Sequence, residues 1–193
     1  MCMKTRELGG NMEHEISATS ALERLKRGNS LYLNSKTGVG DISPEIREET
    51  AKNGQNPYAV IVGCSDSRVI PESIFSAGIG DLFVVRVAGN VIDKHQLGSI
   101  EYAVEHLGCR LVVVLGHTEC GAVCAALHQN DGYVKFITDE IKHAIGEETN
   151  SEKASILNVK QSVSKIDTLL EKPDGLQVVG ALYHTDSGVV NFI

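Results

Sequence analysis

Two short stretches hold the residues that could do chemistry. In IVGCSDSRVI, residues 61–70, Cys64, Asp66 and Arg68 stand at alternate positions directly after an apolar run. In LVVVLGHTECGAV, residues 111–123, His117 and Cys120 follow a second apolar run in the same way. Two thiolates and an imidazole suit Zn²⁺, and three protein ligands leave a fourth coordination position for water, the pattern of a catalytic rather than a closed structural site. The competing reading of isolated cysteines is that they are small buried hydrophobes. Asp66 and Arg68 can pair, and the pair could orient a metal-bound water, or Asp66 could take the metal position itself. Taken alone, they also read as a loop salt bridge.

For the two stretches to meet, the elements before them must lie side by side. YAVIVG, DLFVVRVA and RLVVVLG are short, Val-rich and nearly continuous apolar runs, the pattern of strands covered on both faces of a parallel sheet. Between the second and third, LGSIEYAVEHLG sets Leu97, Ile100, Ala103, Val104 and Leu107 at helical spacing and predicts a crossover helix. In an open α/β sheet, ligands bind beyond the carboxyl ends of the strands. If the first and third runs are neighbours, loops 53 positions apart in sequence bring Cys64, His117 and Cys120 to one rim.

The remaining segments fill out an α/β fold. ISATSALERLKRGNSLYL predicts an N-terminal helix with Ser17, Thr19 and Ser20 available as caps. Residues 36–57 read as loop, with a short helix where Pro44 follows Ser43. Two polar helical stretches, near 134–146 and 152–171, read as surface-facing. LQVVGALYHTDSGVVNFI predicts a strand, a turn around Thr185 to Gly188, and a returning edge strand. The expected architecture is a single α/β domain: a mostly parallel β-sheet flanked by helices, with an antiparallel C-terminal edge strand. We expect residues 1–15 to be a flexible N-terminal tail and 16–193 to form the domain, with the first helix as an N-terminal arm.

Composition narrows the partners. A formal charge of −7, without clustered Lys or Arg, argues against nucleic acid, whose phosphates call for such clusters. No apolar run is long enough to span a bilayer, so no membrane partner is expected. The N-terminus lacks the apolar region of a secretory leader, which leads us to expect a cytoplasmic protein. Five cysteines at positions 2, 64, 109, 120 and 124 suit a reducing compartment better than a disulfide framework. Cys109 and Cys124 read as core thiols, with Cys124 one turn from Cys120 as a rival ligand. His95, before the crossover helix, is a candidate proton carrier.

CSDSRV followed by PESIF, GDLFVVR with AGN, SIEYAV and LGHTECGAV together resemble the β-class carbonic anhydrases, from about Ala21 to the C-terminus. The resemblance implies one Zn²⁺ per subunit bound by Cys64, His117 and Cys120, with Asp66 and Arg68 as a catalytic dyad. The implied reaction is reversible hydration of carbon dioxide to bicarbonate and a proton by a zinc-bound hydroxide. Two anionic thiolates would offset the metal's charge, so activity should rise above neutral pH.

Family members regulated by bicarbonate carry a Trp three residues before the first cysteine; here that position is Ile61, and the chain has no Trp. Gln55, in GQNPYAV, matches a glutamine that donates to substrate in the constitutively open type, so an open site is expected. Phe83 and Tyr102 match residues that line the substrate pocket, partly across a dimer interface. The resemblance implies a homodimer or higher homo-oligomer, with the N-terminal helix lying across a neighbour. Val87 departs from the Asn common at its position in the family. Alternatives on the same scaffold are a hydrolase of carbonyl sulfide or carbon disulfide, and a catalytically silent zinc-stabilised assembly module. A redox-active thiol protein is a weaker alternative, since no Cys-x-x-Cys motif is present.

Overall fold

The Val-rich runs fold as strands because both of their faces are covered. In the computed structural model, which describes residues 16–35, 40–128 and 132–193, β1 (Ala59–Gly63), β2 (Leu82–Arg86), β3 (Leu111–His117), β4 (Gln177–Tyr183) and β5 (Val190–Phe192) form one sheet in the order β2-β1-β3-β4-β5. The first four are mutually parallel, and β5 returns antiparallel to β4 at the edge. The expected tail at 1–15, with Cys2, lies outside the described residues.

Alternate residues along each strand feed separate cores. Ala59, Ile61, Leu111, Val113, Leu115 and Ala181 pack with Leu25 of α1 (Ala18–Asn34) and with Ile74 and Phe75 at the end of α3 (Pro71–Ile74). On the other face, Val60, Val62, Val112 and Val114 pack with Ile100, Ala103 and Val104 of α4 (Lys94–His106) and with Val159 and Ile166 of α7 (Ser151–Leu169). A third cluster caps the strand ends, joining Cys64 and Cys120 to Val123 of α5 (Gly121–Ala126) and Ile141 of α6 (Val134–Ile145).

The helix starts follow their caps. Ser17 accepts from Ser20 N, and Ser43 accepts from Ile46 N at the head of α2 (Pro44–Asn53). Asp93 and Gln96 form a capping box on α4. His95 therefore falls in the first turn of α4 rather than in the loop before it.

Helix α1 does not stand clear of the domain: Ala18, Ala21 and Leu25 are buried in its core. Small residues permit this close seating: a Cβ on Gly28 would come within 1.9 Å of Phe75 O. Asn29 then bonds the carbonyls of Ile74 and Gly188, and Arg24 pairs with Asp81 while lying over the Tyr58 ring. Nor is α7 a surface helix. It buries Ala154, Ser155, Asn158, Val159, Ser162 and Ile166, and its buried polar side chains are stable there because they find hydrogen-bond partners.

Candidate metal centre

The register that pairs Gly63 with Leu115 sets the ends of β1 and β3 side by side. Cys64 is the first residue beyond β1, His117 ends β3, and Cys120 caps α5. Their ligand atoms all lie within 4.8 Å of one another, and all three residues are buried. His117 is 1% exposed. Its Nδ1 lies 2.8 Å from Thr118 O, and because a carbonyl only accepts, Nδ1 carries the proton. Nε2 is thereby left as a lone-pair donor, buried and without a hydrogen-bond partner. A buried imidazole nitrogen left unpaired beside two sulfurs fits a soft or borderline divalent cation, and with no such ion it represents an unmet cost.

The two thiols share their charge. The Cys64 thiol is held down to about 4, chiefly by a hydrogen bond from Cys120, with the amides of Asp66 and Gly89 assisting against burial. Cys120 is pushed up by that same hydrogen bond and by burial. One thiolate is therefore present at neutral pH before any cation binds. Two amides point at its sulfur: Asp66 N at 3.4 Å and Gly89 N at 3.3 Å.

Asp66 and Arg68 form a bidentate pair on the solvent side. Arg68 Nε reaches Asp66 Oδ1 at 3.0 Å and Nη2 reaches Oδ2 at 2.8 Å, while the Arg68 amide adds a bond of 2.9 Å to Oδ1. These bonds hold the Asp66 carboxyl well below the usual carboxylate range, so it is an ionised acceptor. Arg68 Nη2 also donates to Glu119 O at 3.0 Å, which ties the first loop to the second. Glu119 stands in the left-handed region, at φ 54°.

The other predicted residues lie elsewhere. Gln55 sits in the exposed segment between α2 and β1, and Phe83 is the second residue of β2, opposite Val60. Tyr102 packs on Phe83, with ring centroids 6.1 Å apart. All three belong to the end of the sheet where strands begin, and β1 alone puts roughly 17 Å between that end and Cys64. The structure does not bring them to the Cys64–His117–Cys120 group of the same chain. His95 is exposed, beside Asp93, and Cys109 is a buried thiol bonded to Pro57 O.

Several contributors lie outside the predicted ligand and dyad residues. Arg86, closing β2, donates to Cys64 O at 3.0 Å and to Asp66 O at 2.7 Å, fixing the loop that presents both residues. The visible signal was a charge ending an otherwise apolar strand at the same rim. Gly89 stands in the AGN motif, with nothing in the sequence to assign it a role, and Asn158 and Ser162 gave no signal.

Comparison with known proteins points to one family. A family model described as Carbonic anhydrase matches residues 59–190. Carbonic anhydrase 2 of Mycobacterium tuberculosis is 47% identical over 132 residues, covering 65% of this chain and 63% of that protein. The chain thus spans under two thirds of that relative's length. A carbonic anhydrase of Mycolicibacterium smegmatis is 40% identical over 154 residues, covering 77% of this chain and 69% of the relative. Among solved structures, one of two tetrameric β-carbonic anhydrases from Sordaria macrospora superposes with a TM-score of 0.67 at 26% identity, covering 78% of this chain and 87% of that one.

Proposed function

This chain belongs to the β-class carbonic anhydrase family, and we propose that it catalyses the reversible hydration of carbon dioxide to bicarbonate with Zn²⁺ held by Cys64, His117 and Cys120. The observation that carries the reading is the buried, unpaired His117 Nε2 facing a thiol pair beside an ionised Asp66. When bound, Zn²⁺ supplies the charge that makes water a nucleophile near neutral pH. The chain's own residues do the rest. Asp66, which can only accept, would hold the proton side of a water beside it, leaving that water's lone pair free to face the substrate carbon. Arg68 keeps both carboxylate oxygens engaged, which favours the open form, in which Asp66 stays off the metal. Arg86 keeps the 64–66 backbone from drifting.

Gln55, Phe83 and Tyr102 serve the substrate pocket in this reading, and their distance from Cys64 along β1 supports a site completed by a second copy. We therefore take the functional unit to be at least a homodimer. No helix among the described residues is long and apolar enough to cross a membrane. The four described cysteines are free thiols, and two of them must stay reduced to ligate, which favours the cytoplasm.

The test is metal content measured beside stopped-flow hydration of carbon dioxide, for the wild type and Asp66→Asn. One equivalent of zinc in both, with turnover only in the wild type, is the expected result. A zinc-loaded wild type without hydration activity would favour the assembly module. A zinc-loaded wild type that instead consumes carbonyl sulfide or carbon disulfide would move the substrate.

A further inference from the structure

Helix α7 supports the cysteine cluster: Ala154 packs in the same core cluster as Cys64 and Cys120. Asn158 is 3% exposed, and its Nδ2 donates to Gly89 O at 2.7 Å. One turn further, Ser162 Oγ donates to Asn90 O at 3.1 Å. These carbonyls belong to the short turn Ala88–Asn90, whose Gly89 amide donates to Cys64 Sγ. Gly89 and Asn90 both take positive φ, 68° and 45°, and a non-Gly residue there is uncommon. The turn therefore needs outside support. Packing supplies one side of it, since a Cβ on Gly89 would lie 2.7 Å from Ile141 Cδ1. Asn158 and Ser162 supply the other.

An N–H directed at a thiolate draws electron density from the sulfur and orients its remaining lone pairs. From this geometry we infer that Asn158 is a positioning residue for the metal centre: by holding Gly89 O it keeps the Gly89 amide on Cys64 Sγ, with Ser162 as a second anchor. The inference rests on the metal-site reading above. It assigns a role to a helix whose sequence carries no metal motif. A purely structural asparagine, present only to satisfy a buried carbonyl, would affect folding stability and leave the metal's electronic signature alone.

The experiment compares the wild type with Asn158→Ala, Ser162→Ala and Ser155→Ala. Ser155 lies on the same buried face, but its hydroxyl donates within the helix, to Ser151 O at 2.9 Å. Each protein is loaded with Co²⁺ for the sulfur-to-cobalt charge-transfer band and with Zn²⁺ for competition against a chromophoric chelator, and its melting temperature is recorded. The expected result is a shifted band and a loss of about 10-fold to 100-fold in zinc affinity for Asn158→Ala. Ser162→Ala should change in the same direction by less, and Ser155→Ala should match the wild type. If Asn158→Ala does not fold, Ser162→Ala against Ser155→Ala decides. A folded Asn158→Ala with the wild-type band and affinity overturns the inference, as does a Ser155→Ala that shifts as far. A wild type that takes up neither metal overturns the metal reading instead, a separate outcome.

Discussion

The two ends of the sheet are built differently. Where the strands stop, Cys64, His117, Cys120, Asp66 and Arg68 converge within one chain, and the loops that carry them are bonded to each other through Arg68, Arg86 and Gly89. Where the strands start lie Gln55 and the Phe83–Tyr102 aromatic contact, about a strand's length from Cys64. In the function proposed above, the first end supplies the metal donors and the second serves substrate only when another copy's site comes to it, so single substitutions at the two ends should fail in different ways.

The largest effect belongs to the donors. His117→Ala should take up little or no zinc and show no hydration above background; zinc retained at one equivalent would remove His117 from the ligand set. Next comes Asp66→Asn, which keeps an isosteric side chain but weakens the acceptor. It should lower kcat by about 10²-fold to 10⁴-fold with zinc content unchanged, and an unchanged kcat would strip Asp66 of its role.

At the opposite end the loss is smaller, and its location is the test. Gln55→Ala should cost about 10-fold in kcat/KM, the worth of one hydrogen bond to substrate. Mixing Gln55→Ala with Asp66→Asn subunits should restore activity, because a mixed pair has one site with Asp66 from one chain and Gln55 from the other. If Gln55 worked within its own chain, no intact site would form and mixing would restore nothing.

The smallest effect is on stability, at the foot of β1. Burial pushes the Tyr58 phenol up to about 12, partly offset by Arg24 lying over the ring. A raised folded-state value means the unfolded chain loses its proton first, near pH 10. The stabilisation is therefore complete below that pH and is lost as pH climbs towards 12. Tyr58→Phe should flatten this alkaline fall, by on the order of 1–2 kcal/mol between pH 9 and 12 in chemical denaturation. An equally steep fall in both proteins would point to another group.

Helices α4 and α7 show how far periodicity reads. Both pack on the same face of the sheet. For α4, Ile100, Ala103 and Val104 sit at helical spacing, so the helix and its inner face were both legible. For α7 the helix was legible but its inner face was not, because Ser155, Asn158 and Ser162 interrupt the apolar stripe. Periodicity infers burial from apolarity. A buried Asn is silent in that test, since what makes it stable is a carbonyl in a segment about 70 positions away in the chain.

The sequence by itself determined the strands, the helices, the family resemblance and the chemical types of the donors, because each of these is written in side chains next to one another or at a fixed period. The tertiary structure alone decided that His117 Nε2 is left unpaired beside two sulfurs. It also decided that Arg86 and Asn158 stand behind the centre, and that Gln55 lies a strand's length from it. Those features depend on backbone groups, which are the same in every residue, and only folding settles which backbone group meets which side chain.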